Sequence, residues 1–251
     1  MKTKKKVNVK LIVFIIIILI LVINKGVVFL SSKLGEMGLY FPGEKQIEFN
    51  LEELANNEKF AGRGQEKVDG KDGYDTIFNS INRKYIEYKQ VGNASWKDKS
   101  YWGGTFEENG CGLAAIATLL SGYEMDYTPE DLRKIYVNFP GEHLEGDQMS
   151  GELSSRFGIS NTDFLYADVY FKKDYVIEHL LQDKPILICV WNNPDDRWTT
   201  ASHYMLLLAT DGDNKVYVSN PNGLYGKVKM SGWYSSEDIL PYIAKAMFIE
   251  E

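Results

Sequence analysis

The chain has 251 residues, of which 28 are basic and 35 acidic, so its formal net charge is −7. Residues 1–30 contain six lysines and no acidic residue, and the rest of the chain therefore carries a net charge of −13. A surface that acidic argues against nucleic-acid binding, which requires a basic footprint. It favours a simply solvated surface, or neutral and basic partners.

The first thirty residues have the pattern of a membrane anchor or an export signal. A basic tail over residues 1–10 precedes an unbroken apolar run at 11–23, which a second short run extends to residue 30. No small-x-small cleavage site follows, so an uncleaved single-pass anchor is favoured over a cleaved signal that would leave the protein secreted. The lysines before the run predict that the N-terminus lies inside the cell and the domain outside it.

Residues 31–73 are rich in Gly, Asn, Lys and Glu and are predicted to form a stalk, with one helical stretch at 50–57. The domain is predicted over residues 74–251. Apolar residues near helical spacing predict an amphipathic helix over residues 75–90.

The rest of the predicted domain divides into helices and then strands. Helices are predicted at 112–121, 147–157 and 173–182, and another begins at Thr128, which precedes proline and two acidic residues. Strand-like apolar runs follow at 185–191, 203–210 and 215–219, with a turn at 211–214, a further strand near Val228 and a last short helix from Ser235. Helices first and antiparallel strands later predict an α+β domain.

The two cysteines stand in different contexts. Cys111 lies between two glycines in ENGCGLAA, and Cys189 lies in the apolar run KPILICVW. Free cysteine is commonly buried as a small apolar residue, which favours a core position for Cys189. A disulfide between the two is therefore the least favoured interpretation. No Cys or His pair has metal-ligand spacing, so neither a metal nor a cofactor is expected.

Cys111 has the setting of a reactive thiol. At a helix N-terminus, unpaired N–H groups and the positive end of the dipole stabilise the thiolate. Gly110 and Gly112 leave space for a substrate and for an unusual backbone turn, and the N–H of Cys111 could donate to an oxyanion. On this motif alone, a nucleophile and a small buried residue at a tight turn are equally supported.

A nucleophilic cysteine needs a base, and that base needs an orienting group. His143 lies in a polar loop and His179 on the predicted outer part of a helix, whereas His203 opens a core strand. If the strands on either side of residues 211–214 form a hairpin, Asn220 lies across from His203 and can fix its tautomer. A plain Asn-Pro turn is the alternative for Asn220.

These residues, taken together, resemble the C39-like cysteine peptidases, a papain-like group. The matching pieces, in the family's order over residues 95–245, are YWGGTFEENGCGLAAIATLLSGY, YTPEDLRKIY, KPILICVW, SHYMLLLATDGDNKVYVSNPNG and WYSSEDIL. The resemblance implies a papain-like fold, with N-terminal helices packed on a C-terminal antiparallel sheet. It also implies Cys111 as nucleophile, His203 as base and Asn220 as the residue that orients His203.

Two departures from the family pattern concern the site. The family commonly has Asp where this chain has Asn220, and a neutral partner stabilises imidazolium less than a carboxylate does. Many relatives also place Gln about six residues before the cysteine as an oxyanion donor, and no Gln occurs from Val91 to Gly110. Thr105 and Asn109 are the candidates for that role.

The predicted function is a membrane-anchored, extracellular cysteine peptidase that cleaves an amide bond through an acyl-thioester. One alternative keeps the triad but acts on peptidoglycan stem peptides, or transfers an acyl or peptidyl group to an amine. Other wall hydrolases with a papain-like core often show Asp-Cys-Ser, which this chain lacks. The other alternative is a catalytically degenerate domain that binds a peptide.

Overall fold

The computed structural model describes residues 64–137, 146–166, 173–191, 198–199, 201–222 and 230–250. The predicted tail, anchor and stalk helix lie outside these residues, as do His143 and Val228. Within the described ranges, no helix combines the length and the apolar character needed to cross a membrane.

The described part begins with a small antiparallel sheet of three strands, β1 (Gly64–Lys67), β2 (Thr76–Asn79) and β3 (Lys84–Ile86), in that order. The predicted helix over residues 75–90 is therefore wrong. Phe78 of β2 pairs with Tyr85 of β3, and both side chains are fully buried. The turn between them is closed by Ser80, whose N–H donates to the Arg83 carbonyl at 2.9 Å. The strand β1 lies within the segment predicted as a stalk.

Four helices and a two-stranded ribbon follow. They are β4 (Ser100–Tyr101), β5 (Gly104–Thr105), α1 (Phe106–Asn109), α2 (Cys111–Ser121), α3 (Pro129–Tyr136) and α4 (Gly146–Phe157). The predicted cap at Thr128 is confirmed, because its hydroxyl accepts from the N–H of Asp131 while the Asp131 carboxylate accepts from the N–H of Thr128. This reciprocal capping box satisfies two backbone donors at the start of α3.

The main sheet has six strands in the order β10-β9-β8-β7-β11-β6, and every neighbouring pair is antiparallel. The elements are β6 (Leu165–Tyr166), α5 (Lys173–Leu181), β7 (Ile186–Val190), β8 (His203–Thr210), β9 (Lys215–Ser219), β10 (Gly232–Ser235), α6 (Ser236–Ile239), a 3₁₀ turn (Leu240–Tyr242) and β11 (Ile243–Phe248). The predicted α+β order and the hairpin of β8 and β9 are confirmed.

The main sheet is covered on both faces. Leu187 and Leu206 belong to the core that contains α2, whereas Ile186 and Met205 belong to a second core that contains α5. Because both faces are buried, the strands consist of continuous apolar runs. The prediction that His179 lies on the outer part of its helix is wrong, since only 5% of its surface is exposed.

Candidate active site

Cys111 is the first residue of α2, at the end of the helix where backbone N–H groups lack helical partners. The residue is partly buried and its thiol is free. Burial raises the pKa of the thiol above its usual value, and the backbone N–H groups of Tyr204, Gly112 and Cys111 itself oppose that rise. The rise prevails, so the thiol form dominates near neutrality. Cys111 and Tyr204 line the same cavity, so the start of α2 lies beside the start of β8.

The glycines beside Cys111 serve packing. A Cβ at Gly110 would lie 2.3 Å from the Phe106 ring and 2.5 Å from its carbonyl oxygen. A Cβ at Gly112 would lie 2.5 Å from Cε of Met149. Gly110 has φ −86°, which any residue can adopt. The expectation that these glycines leave room for a substrate or allow an unusual turn is therefore wrong. Close contacts with neighbouring atoms explain glycine at both positions.

His203 and Asn220 are brought together as the hairpin predicted. The Nε2 atom of His203 lies 2.8 Å from Oδ1 of Asn220, and both residues are buried. The same Oδ1 atom accepts from the N–H of Asn222 at 2.9 Å, which identifies it as the oxygen of the amide. Since an amide oxygen only accepts, Nε2 must carry the proton. The neutral ring therefore leaves Nδ1 as its acceptor atom.

Burial also determines the charge of His203. It lowers the pKa of the ring to about 4, although the hydrogen bond to Asn220 acts in the opposite direction. The imidazole is therefore neutral at physiological pH. A neutral ring with an unprotonated Nδ1 is the form that can act as a general base.

Asn220 is held through its backbone by two residues that the sequence analysis did not identify. Lys89 is 4% exposed, and its Nζ donates to the Asn220 carbonyl at 3.1 Å and to Ser231 Oγ at 3.2 Å. The N–H of Asn220 donates to the same Ser231 hydroxyl at 2.9 Å. These contacts join residues more than ten positions apart, and no local sequence motif predicts them.

A cavity of about 380 Å³ opens at Cys111. Its lining includes Cys189, Ser202 and Tyr204, so Cys189 combines its predicted place in a core strand with a position on the cavity wall. His203 lies between two lining residues and is itself buried. His203 lies two positions before Met205 on β8, so both side chains leave the same face of the sheet. Within the described part of the chain, no hydrogen bond joins the His203 ring to the Cys111 sulfur.

The two candidate oxyanion donors have other partners. The Thr105 hydroxyl lies in a capping box at the start of α1, where it donates to the Glu108 carboxylate at 3.0 Å. Asn109 lines the cavity, but its Nδ2 donates to the carbonyls of Tyr101 and Trp102 at 3.2 and 3.1 Å. The backbone N–H groups around Cys111 are thus the better-placed donors.

The rim of the cavity carries exposed aromatic side chains that the sequence analysis did not single out. Trp102, Tyr166 and Trp191 line the cavity and are 44%, 67% and 63% exposed. Trp102 also has φ 50°, in a region that bulky residues rarely adopt. Exposed apolar patches commonly mark interaction sites. Among the described residues, no group of three His, Cys, Asp or Glu could hold a metal ion.

Comparison with known proteins places these residues in a family. The model of the Peptidase_C39 like family matches residues 88–237, which include Cys111, His203 and Asn220. No curated protein matches the chain. A crystal structure assigned to a C39-like peptidase from Bacillus anthracis is similar over 57% of this chain and 90% of that chain, at 12% identity and a TM-score of 0.41. Since the family model covers more than half of its length, the chain belongs to the Peptidase_C39 like family of cysteine peptidases.

Proposed function

We propose that this chain hydrolyses an amide bond in a peptide outside the cell, through a papain-like triad of Cys111, His203 and Asn220. One observation carries the proposal. His203 is held by Asn220 at the first residue of β8, and the next residue of that strand, Tyr204, lines the same cavity as Cys111. The anchor at residues 11–30 and the extracellular position are supported by the basic and apolar pattern of the N-terminus.

In the proposed mechanism, the resting thiol of Cys111 and the resting imidazole of His203 are both neutral. The raised pKa of the Cys111 thiol and the lowered pKa of the His203 ring both disfavour an ion pair of thiolate and imidazolium. Transfer of the proton therefore accompanies attack on the substrate. Catalytic hydrogen bonds often tighten only when substrate is bound, and the proposed mechanism requires the sulfur and Nδ1 of His203 to come within hydrogen-bonding distance in that state.

The reaction then proceeds in two halves. Nδ1 of His203 takes the thiol proton while the sulfur bonds to the scissile carbonyl carbon, whose oxygen becomes an oxyanion near the N–H of Cys111. Collapse of this adduct breaks the C–N bond, and the imidazolium gives its proton to the leaving amine. A water molecule, deprotonated by His203, then attacks the thioester and releases the acid together with the free thiol.

Asn220 contributes orientation. Its oxygen keeps the Nε2–H proton in place, so that Nδ1 remains the basic atom, and it stabilises the imidazolium formed during the reaction. Lys89 and Ser231 hold the Asn220 backbone and thereby the position of that oxygen.

Cleavage of defined material tests the proposal. The full-length chain and its Cys111→Ala variant are incubated with a complex peptide library and with purified sacculi, and the products are identified by mass spectrometry. We expect new peptide termini with the wild-type chain and at least about 1000-fold fewer with the variant, since loss of a catalytic nucleophile removes most of the rate.

Cys189→Ala is the matched control, because it removes the other thiol of the same cavity. It should retain cleavage. Products that appear equally with Cys111→Ala would refute the proposal, and release of muropeptides alone would assign the activity to the cell wall.

A further inference from the structure

Lys245 is the one basic residue among the described residues that line the cavity at Cys111. It lies on β11, opposite Cys189 of β7 and Tyr166 of β6. The rest of the chain beyond residue 30 has a net charge of −13, so its long-range field repels anions. A cation inside this cavity is therefore a local exception to the charge of the domain.

The ammonium group is held over two aromatic rings. Its Nζ lies 4.8 Å from the centroid of Phe164 and 5.5 Å from that of Tyr204. Both distances are within the range of a cation–π interaction, which restricts an otherwise flexible side chain. The charge is thus placed at a fixed point on the cavity wall.

No carboxylate of the described residues forms an ion pair with Lys245. Glu108 is the other charged residue of the lining, and its carboxylate instead accepts from the N–H and the hydroxyl of Thr105 at 2.8 and 3.0 Å. The ammonium has three N–H donors. None of them donates to a carboxylate of the described residues. It can therefore bind an anionic group that enters the cavity.

Tyr204 connects this cation to the nucleophile. Its backbone N–H stabilises the Cys111 thiolate, and its ring lies beneath the Lys245 ammonium. The nucleophilic sulfur and the ammonium are thus both part of the wall of one cavity, with Tyr204 between them.

We propose that Lys245 is a specificity-determining residue that binds a carboxylate of the substrate, from an acidic side chain or a chain terminus, beside the bond that Cys111 attacks. The role of Lys245 in substrate choice rests on the proposed function. The electrostatic contact itself can be measured without any cleavage.

The measurement compares two alkylating agents at Cys111. Iodoacetate is anionic and iodoacetamide is neutral, and with both the thiolate forms a C–S bond while iodide leaves. Rates at Cys111 are followed in the full-length chain by peptide mapping, which separates them from reaction at Cys189. The variants are Lys245→Gln, Lys245→Met, Lys245→Arg and, as a matched loss of charge outside the cavity, Lys134→Gln, whose side chain is 63% exposed.

We expect the ratio of the iodoacetate rate to the iodoacetamide rate to fall about threefold to fivefold in Lys245→Gln and Lys245→Met. Lys245→Arg and Lys134→Gln should keep the wild-type ratio. In the wild-type chain the ratio should also decline as salt approaches 1 M, where the Debye length is about 3 Å. An unchanged ratio in Lys245→Gln, or an equal fall in Lys134→Gln, would overturn the assignment.

The peptide library separates this result from the proposed function. Wild-type cleavage sites should be enriched in Asp or Glu at one fixed position, or in bonds near a terminal carboxylate, and Lys245→Glu should reverse that preference. Cleavage that depends on Cys111 but shows no acidic preference would refute the proposed role of Lys245 and leave the proposed function standing. Absence of any such cleavage would refute the proposed function, while the alkylation ratio would still decide whether Lys245 binds anions.

Discussion

At Cys111 two physical effects oppose one another. The helix N-terminus and three backbone N–H groups favour the thiolate, and removal of the sulfur from water favours the thiol. Burial has the larger effect and raises the pKa of the thiol. In the reaction proposed above, His203 therefore generates the thiolate during attack, and that proposal depends on which ring nitrogen of His203 carries the proton.

The substitution Thr105→Ala tests whether the Thr105 hydroxyl serves as a helix cap or as an oxyanion donor. We expect the free energy of unfolding to fall by about 1 kcal/mol, because the substitution removes an N-cap, while kcat/KM of the folded enzyme changes less than about threefold. Loss of an oxyanion donor would instead lower kcat about 100- to 1000-fold. Peptide cleavage and urea unfolding measure the two quantities.

Thr105→Ser is the control for this substitution, since it keeps the hydroxyl that donates to Glu108. It should match the wild-type chain in both measurements. A large fall in kcat with Thr105→Ala alone would restore Thr105 as a participant in the reaction.

The helix α2 could be predicted from the sequence, but the packing that requires glycine at its start could not. Its apolar run predicts the helix, but Gly110 and Gly112 are explained only by close contacts with Phe106, Met149 and Tyr204 from other segments. The two tight contacts differ in kind. Gly110 meets an aromatic ring and a backbone oxygen, whereas Gly112 meets the flexible end of a methionine.

Gly110→Ala and Gly112→Ala should therefore differ in stability. We expect Gly110→Ala to lower the free energy of unfolding by about 2 kcal/mol, because overpacking against fixed atoms cannot relax. Gly112→Ala should change it by less than about 1 kcal/mol, because Met149 can move and alanine favours the helix. Urea unfolding of both variants provides the comparison, and equal losses would contradict the packing argument.

The elements that the sequence predicts correctly have strong local signals. Thr128 with Pro129 marks a helix start, and the runs that form β7, β8 and β9 are continuous because both faces of their sheet are buried. The strands β2 and β3 are missed because Ile77, Phe78 and Tyr85 also fit helical spacing. The support of Asn220 by Lys89 joins positions 131 residues apart, and only the folded chain creates that contact.

The stability of the whole molecule is linked to the charge of its buried histidine. The pKa of His203 is about 4 in the folded chain, and about 6.5 is the ordinary value for an unfolded one. Between these values the unfolded chain binds more protons, so the free energy of unfolding falls as the pH decreases from about 6.5 to about 4.

His203→Gln tests this linkage. From pH 7 to pH 5 we expect the wild-type chain to lose roughly 2 kcal/mol more than the variant, which has no imidazole at position 203. Acidic groups and His179 titrate in both proteins, so their contributions cancel in the difference. Urea unfolding across this range gives both curves, and curves that stay parallel would show that the ring has no such shift.

Lys89 has a consequence for how position 220 can vary. Burial lowers the pKa of the Lys89 amine, while the charges of Glu87 and Asp75 raise it. In its protonated form, Lys89 donates to the Asn220 carbonyl and places a positive charge beside that residue. An aspartate there would enter the interior with a counter-ion already present, which offsets much of the cost of burying a carboxylate. We therefore expect Asn220→Asp to fold like the wild-type chain and to raise the pKa of His203, because a carboxylate stabilises imidazolium more than an amide does.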